Sequence, residues 1–379
     1  MTTTDLDQLS VNTIRTLSMD AVQQANSGHP GTPMAMAPVA YTLWQRHLRF
    51  DPNDPIWPDR DRFVLSMGHA SMLLYSLLHL AGVKAVNPKY ETLGELSVPL
   101  DDIKRFRQLD SRCPGHPEYR WTSGIETTTG PLGQGVATSV GMAIASKWLA
   151  SRYNKPGFGL FTHRVYALAG DGCLMEGISH EAISMAGHLG LSKLIVLWDD
   201  NDISIDGATS LAVSDNQLKR FEASGWQVSA VDGHDDKAIR AALKAAQTAT
   251  KPVLIACKTT IGFGAPTKAG KASSHGSPLG PDEIKGAREK LGWTAAAFEV
   301  PTEIAAAWLE AGSRGAVERK SWEARNAKLP KGVLTDPVTA EVAAALKKVI
   351  AETKDGFSKD KPKLATRESS AKVLEALLP

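Results

Sequence analysis

The chain has 379 residues, of which 42% are hydrophobic and 22% charged, with a formal net charge of +2. That length and composition suit a large α/β unit with a sizeable core and something added to it. Its 43 Lys and Arg and 41 Asp and Glu are scattered along the chain, which gives no electrostatic case for nucleic acid or a membrane surface.

Taken from the N-terminus, residues 1–8 are polar and acidic and do not read as a signal peptide. Val11, Ile14, Leu17, Ala21, Val22 and Ala25 recur at helical spacing and predict an opening helix, which ends at the Ser27-Gly28-His29-Pro30 turn. Residues 62–66 are strand-like and break at Met67-Gly68-His69 into a helical run over 71–80. Residues 133–150 predict a helix rich in Ala and Gly, buried against a neighbour. Apolar runs over 165–169 and 194–198 predict strands, with Ile178, Ala182, Met185, Ala186 and Leu189 at helical spacing between them. Further strands are predicted over 226–231 and 252–258. Residues 282–320 turn helical, with Trp293, Phe298 and Trp308 as packing residues. The stretch 328–337 reads as a surface segment, 338–350 as a helix, 354–362 as a charged linker, and 364–378 as a last helical run. No span is long and apolar enough for a membrane. Strands alternating with helices imply an α/β fold with a parallel sheet flanked by helices, and ligands at the strand ends.

The most informative stretch runs from Gly170-Asp171-Gly172 to Asn201. A right-handed crossover sets the ends of two neighbouring parallel strands side by side. One end then carries the Asp171 carboxylate and the other the Asn201 amide, with glycines that admit a close ligand. Such a set suits a hard cation holding a diphosphate. Among ten histidines, His79 and His188 fall inside predicted helices and read as structural or surface residues. Cys113, Cys173 and Cys257 have neither metal-ligand spacing nor a disulfide framework, so a reducing cytosol is the expected compartment.

Asp171-Gly172 with Asn201 thirty residues on resembles the metal and diphosphate motif of thiamin-diphosphate enzymes. The full phrase GDGCLMEGISHEAISMAGHLGLSKLIVLWDDNDISIDG resembles transketolases, as do Ser27-Gly28-His29-Pro30-Gly31, Gly68-His69-Ala70-Ser71, Gly115-His116-Pro117-Glu118 and Thr129-Gly130-Pro131-Leu132-Gly133-Gln134-Gly135. The resemblance runs from about Leu9 to the last residue. It implies the thiamin-diphosphate-binding fold and reversible transfer of a two-carbon ketol group from a ketose phosphate to an aldose phosphate. It also implies a homodimer with active sites shared between subunits.

By the same resemblance, Asp171, Asn201 and the carbonyl of Ile203 are expected to hold Mg²⁺, with Ca²⁺ or Mn²⁺ open as substitutes. Gly130, Pro131, Leu132, Gly172, Glu176 and Asn201 are expected around thiamin diphosphate, with His69 and His275. His29, His69 and His275 are the expected catalytic residues; His29, His275, His116 and Arg367 are expected on the sugar phosphate. Glu176 and Glu181 match acids at the family's dimer interface. The chain departs from the family at Ala35, Ala70 and Ala272, where glycine, glycine and a second histidine are common. The phrases around His29 and His116 argue against a deoxyxylulose-phosphate synthase, whereas a dihydroxyacetone synthase shares most motifs.

The expected organisation is a diphosphate-binding domain over 1–325, a linker region over 326–362, and over 363–379 the first helix of a truncated pyrimidine-binding domain. The family's acid that protonates the pyrimidine has no counterpart here, so the chain alone is expected to be incomplete as an enzyme, and a non-catalytic diphosphate-binding fragment is the alternative.

Overall fold

The computed structural model describes residues 3–329 and 340–377, which fall into two compact units, Met1–Glu323 and Ala324–Pro379. The first is built on five parallel strands: β1 (Arg62–Leu65), β2 (Val165–Gly170), β3 (Leu194–Asp200), β4 (Gln227–Asp232) and β5 (Val253–Lys258). Their order in space is β1-β2-β3-β5-β4. Strands β2, β3 and β5 are buried along almost their whole length, as an all-apolar parallel strand covered on both sides must be. The edge strand β4 alternates towards solvent. The α/β architecture expected from the alternating pattern is the one observed.

Helices flank the sheet: α1 (Thr3–Ala25), α2 (Gly31–Arg46), α3 (Ser71–Leu80), α4 (Gln134–Tyr153), α5 (Gly177–His188), α6 (Asp236–Ala246), α7 (Pro281–Leu291) and α8 (Thr302–Asn326). Buried Asp59 accepts from the backbone of Thr162 and His163, at 2.6 and 3.0 Å, and pairs with Arg49, which fixes the chain entering β2. At the other end of the sheet, Ser66 Oγ accepts from Val136 N at 3.1 Å and seats α4 on β1. No helix among the described residues is long and apolar enough to cross a membrane.

Several segments differ from the sequence reading. Helix α2 escapes a pattern search because Pro33 and Pro38 lie within it, yet it is buried from Gly31 to Trp44. Pro38 has no N–H, so the Met34 carbonyl loses its helical partner; Arg15 Nε donates to it instead, at 2.9 Å. The helical reading of 282–320 is interrupted where α7 ends on Gly292, at φ +64°, and Trp293 and Trp308 are buried as expected. Helix α4 buries only one face, and Trp148 on its other side is 55% exposed. Two short hairpins, Lys84–Val86 with Thr92–Leu96 and Ile203–Ser204 with Gly207–Ala208, were not read as strands.

The second unit contains α9 (Ala340–Asp360) and α10 (Thr366–Leu377). Residues 354–360, read as linker, continue α9, supported by an i,i+4 ion pair of 2.6 Å between Lys359 and Asp355. Most of the segment read as a surface stretch over 328–337 lies outside the described residues.

Candidate active site at the sheet edge

Parallel strands deliver their C-terminal ends to one edge, and the loops beyond them carry the candidate residues. β1 leads through Met67 into a short 3₁₀ turn, Gly68–Ala70, that presents His69. His29 lies in the turn between α1 and α2, and His275 follows the 3₁₀ turn Ala272–Ser274 beyond β5. Close backbone contact brings these loops together. A Cβ on Gly31 would lie 2.5 Å from the Ser274 carbonyl oxygen, and one on Gly68 would lie 2.7 Å from the Gly130 amide. Only glycine permits either approach.

The three imidazoles form a triangle, with ring centroids 4.9 Å apart for His29 and His69, 5.2 Å for His69 and His275, and 5.7 Å for His29 and His275. Burial, then the neighbouring His275, Arg107 and His116, pulls His29 down to about 4. His69, the most enclosed, falls to about 3 for the same reason, with His29 next in importance. Burial lowers His275 as well. All three are therefore neutral at pH 7, each with one nitrogen to donate and one to accept. His29 Nδ1 and His275 Nδ1 are buried and have no partner among the described residues.

His116, exposed, stands beside this cluster. It packs against Gly130, where a Cβ would lie 3.2 Å from the imidazole and the φ of +150° would strain any side chain. Burial and the nearby Arg107 lower its pKa. Arg107 itself was missed by sequence reasoning: its backbone sits at φ +62°, and its Nη1 donates to Ser27 Oγ at 2.8 Å. That contact spans eighty positions and has no periodic signature.

Asp171 begins the turn after β2, and Asn201 follows β3, where Gly170 pairs with Asp199. Trp198 Nε1 donates to Asp171 Oδ1 at 3.1 Å, while Oδ2 is buried and has no partner among the described residues. Burial, then the charge of Asp199, raises the Asp171 carboxyl to about 7. The Asn201 side chain is oriented by Asp199: its Nδ2 donates to Asp199 Oδ2 at 2.8 Å, and its Oδ1 accepts from Ile203 N at 2.9 Å. Asp199 is fully buried and accepts from Thr259 Oγ1 at 2.5 Å. Asp199 and Thr259 are a second pair that sequence reasoning did not single out.

Gly172 packs on Leu132, and a Cβ on Gly133 would lie 2.8 Å from that of Glu176, so the 130–133 loop lies along the start of α5. Pro131 sits in this loop. Glu176 and Glu181 are both exposed. Arg367 lies on α10 in the second unit. Among the described residues, no group of three or more His, Cys, Asp or Glu side chains is arranged to hold a metal. The expected donors, one carboxylate, one amide and one backbone carbonyl, are a set of a different kind. An orphaned, buried carboxylate oxygen facing a partly neutralised acid cluster is what a cation would satisfy.

The family described as "Transketolase, thiamine diphosphate binding domain" matches residues 6–350. Transketolase 1 of Vibrio cholerae is 53% identical over 96% of this chain and 54% of its own length. A transketolase of Rhodobacter capsulatus is 52% identical over 97% of this chain and 53% of its own. Among solved structures, transketolase from Campylobacter jejuni superposes with a TM-score of 0.82 at 42% identity, over 90% of this chain and 52% of that one. A Pichia stipitis transketolase in complex with sedoheptulose 7-phosphate gives 0.81 at 42% identity, over 91% and 49%. The chain thus spans about half the length of the curated relatives it matches. With the family's own domain matched across nearly all of the first unit and the sheet edge built as described, the chain belongs to the transketolase family's thiamine diphosphate binding domain.

Proposed function

We propose that this chain serves transketolase catalysis, the reversible transfer of a two-carbon ketol group from a ketose phosphate to an aldose phosphate. The observation that carries this reading is the triangle of three neutral imidazoles on the same edge of the sheet as the Asp171 and Asn201 strand ends. When bound, thiamine diphosphate would supply an acidic thiazolium C–H, nucleophilic towards a ketose carbonyl once deprotonated, and an electron sink for the negative charge left on the transferred carbons. The chain's own residues bind, orient and move protons. His29 and His275 donate to or accept from hydroxyls next to the reacting carbons, and His69 takes part from the cofactor side. His116 holds sugar hydroxyls, and Arg367 takes the sugar phosphate.

Gly130, Pro131, Leu132, Gly172 and Glu176 line the cofactor. Asp171 Oδ2, the Asn201 amide oxygen and the Ile203 carbonyl hold the cation, for which Mg²⁺ is the first choice and Ca²⁺ or Mn²⁺ a substitute. A homodimer with shared sites is supported by the exposed Ile178, Met185 and Leu189 near Glu181 on and after α5, with Trp148 on α4. Three buried free thiols support the cytosol as the compartment.

The test is a coupled assay with xylulose 5-phosphate and ribose 5-phosphate on the whole protein. His29→Ala or His275→Ala should lower turnover by roughly 10²-fold or more, the scale of acid–base help, with cofactor binding retained. Normal turnover in both variants would sink the reading.

A further inference from the structure

A second cleft of about 810 Å³ opens on the same edge of the sheet, beyond the end of β4. Arg15, His234, Lys237, Arg240 and Phe263 line it, together with the carboxylates of Asp7, Asp235 and Asp236. Arg15 is 2% exposed, and no carboxylate among the described residues lies within ion-pair distance of it. Its Nε donates to Met34 O at 2.9 Å and its Nη1 to Asn12 Oδ1 at 2.8 Å, both neutral acceptors. Nη2 makes no hydrogen bond among the described residues. Burial alone pulls the guanidinium down to about 9, so it is charged at neutral pH. The Pro38 gap in α2 accounts for the bond to Met34, which a neutral donor would serve equally. It does not account for the charge, and buried charges are normally paired.

The surroundings are those of an anion site. The Arg15 guanidinium carbon stands 4.3 Å from the centre of the Phe263 ring, on which the His234 imidazole also stacks at 4.3 Å. His234 Nε2 accepts from Thr260 N at 3.1 Å, which places the imidazole proton on Nδ1, and that atom is buried with no partner among the described residues. The nearby carboxylates are already engaged. Asp7 accepts from Tyr41, Arg46 and Arg240; Asp236 accepts from Thr42 and Arg240; Asp235 caps α6. Lys237, on the exposed rim, has no ion-pair partner among the described residues.

We propose that this cleft binds a small oxoanion of the phosphate type, held by Arg15 Nη2 and faced by Lys237. The occupant would steady two segments of the histidine cluster at once. Phe263 lies in the loop that leads to His275, and Met34 lies in α2, which starts two residues after His29.

The experiment is calorimetric titration of the 379-residue chain with inorganic phosphate, at ionic strength held constant with chloride. Wild type should show saturable binding. Arg15→Gln should weaken it by about tenfold or more, as loss of a charge-assisted contact does, and Lys237→Met by roughly two- to fivefold, as for an exposed charge. His69→Ala, in the histidine cluster, should leave it unchanged. Should Arg15→Gln fail to fold, Lys237→Met carries the test. A parallel titration with glycerol 3-phosphate separates a free anion from an ester by which binds more tightly. No saturable binding in wild type, equal binding in the Lys237 variant, or binding abolished by His69→Ala would overturn the proposal.

Discussion

His69 has the strongest pH signature of any group at the site. Its folded pKa, about 3, lies below the ordinary histidine value of 6.5. Between those values the unfolded chain binds a proton that the folded chain refuses, so the imidazole's contribution to stability is present above 6.5 and declines as pH falls towards 3. Asp171 acts in the opposite sense, because its carboxyl is raised to about 7 and stabilises the fold most at low pH. Comparison with a variant removes that background. The thermal midpoint of wild type should fall relative to His69→Asn as pH is lowered from 7 to about 4.5. Parallel midpoint curves would show that His69 is not held neutral by the fold. The same residues show what a sequence does and does not display. Asp171, Asn201 and the histidines lie in recognisable phrases. Arg107 acts through a partner eighty positions away, and nothing in its local pattern marks it; Asp199 lies inside a recognisable phrase, but its bond to Thr259, sixty positions on, leaves no local signal.

At the scale of elements, strands were legible to within a residue or two, because each is a short apolar run bounded by turn residues. The single-turn hairpins were not, since two or three paired residues leave no alternation to read. Helix α2 was hidden by its prolines, and the end of α9 by a glycine and by charges that pair along the helix. Loop convergence was least legible, because it depends on approaches such as that of Gly31 to Ser274. Gly31→Ala should force the α2 start away from the His275 loop and lower stability by about 1–3 kcal/mol, the usual cost of overpacking. Denaturant unfolding would measure it. An unchanged midpoint would mean that the two segments shift freely and do not set the triangle.

For the whole molecule, strand order has a consequence for how the chain is made. β1 must wait for β2, since Arg62 pairs with Val165 about a hundred residues later. β4 is synthesised before β5 but occupies the far edge, with β5 between it and β3. A ribosome that has released only residues up to 251 therefore presents β4 with no neighbour to pair with, and the central strand β3 with one side open. A chain cut at that point should lack a cooperative unfolding transition and aggregate, whereas the first unit, 1–323, should unfold cooperatively, as calorimetry would show. A sharp transition in the shorter chain would contradict this. The histidine triangle is drawn from positions 29, 69 and 275, so it closes only after the last parallel strand is in place. The triangle thus assembles late in synthesis, and unpaired strand edges are most exposed while β4 waits for β5.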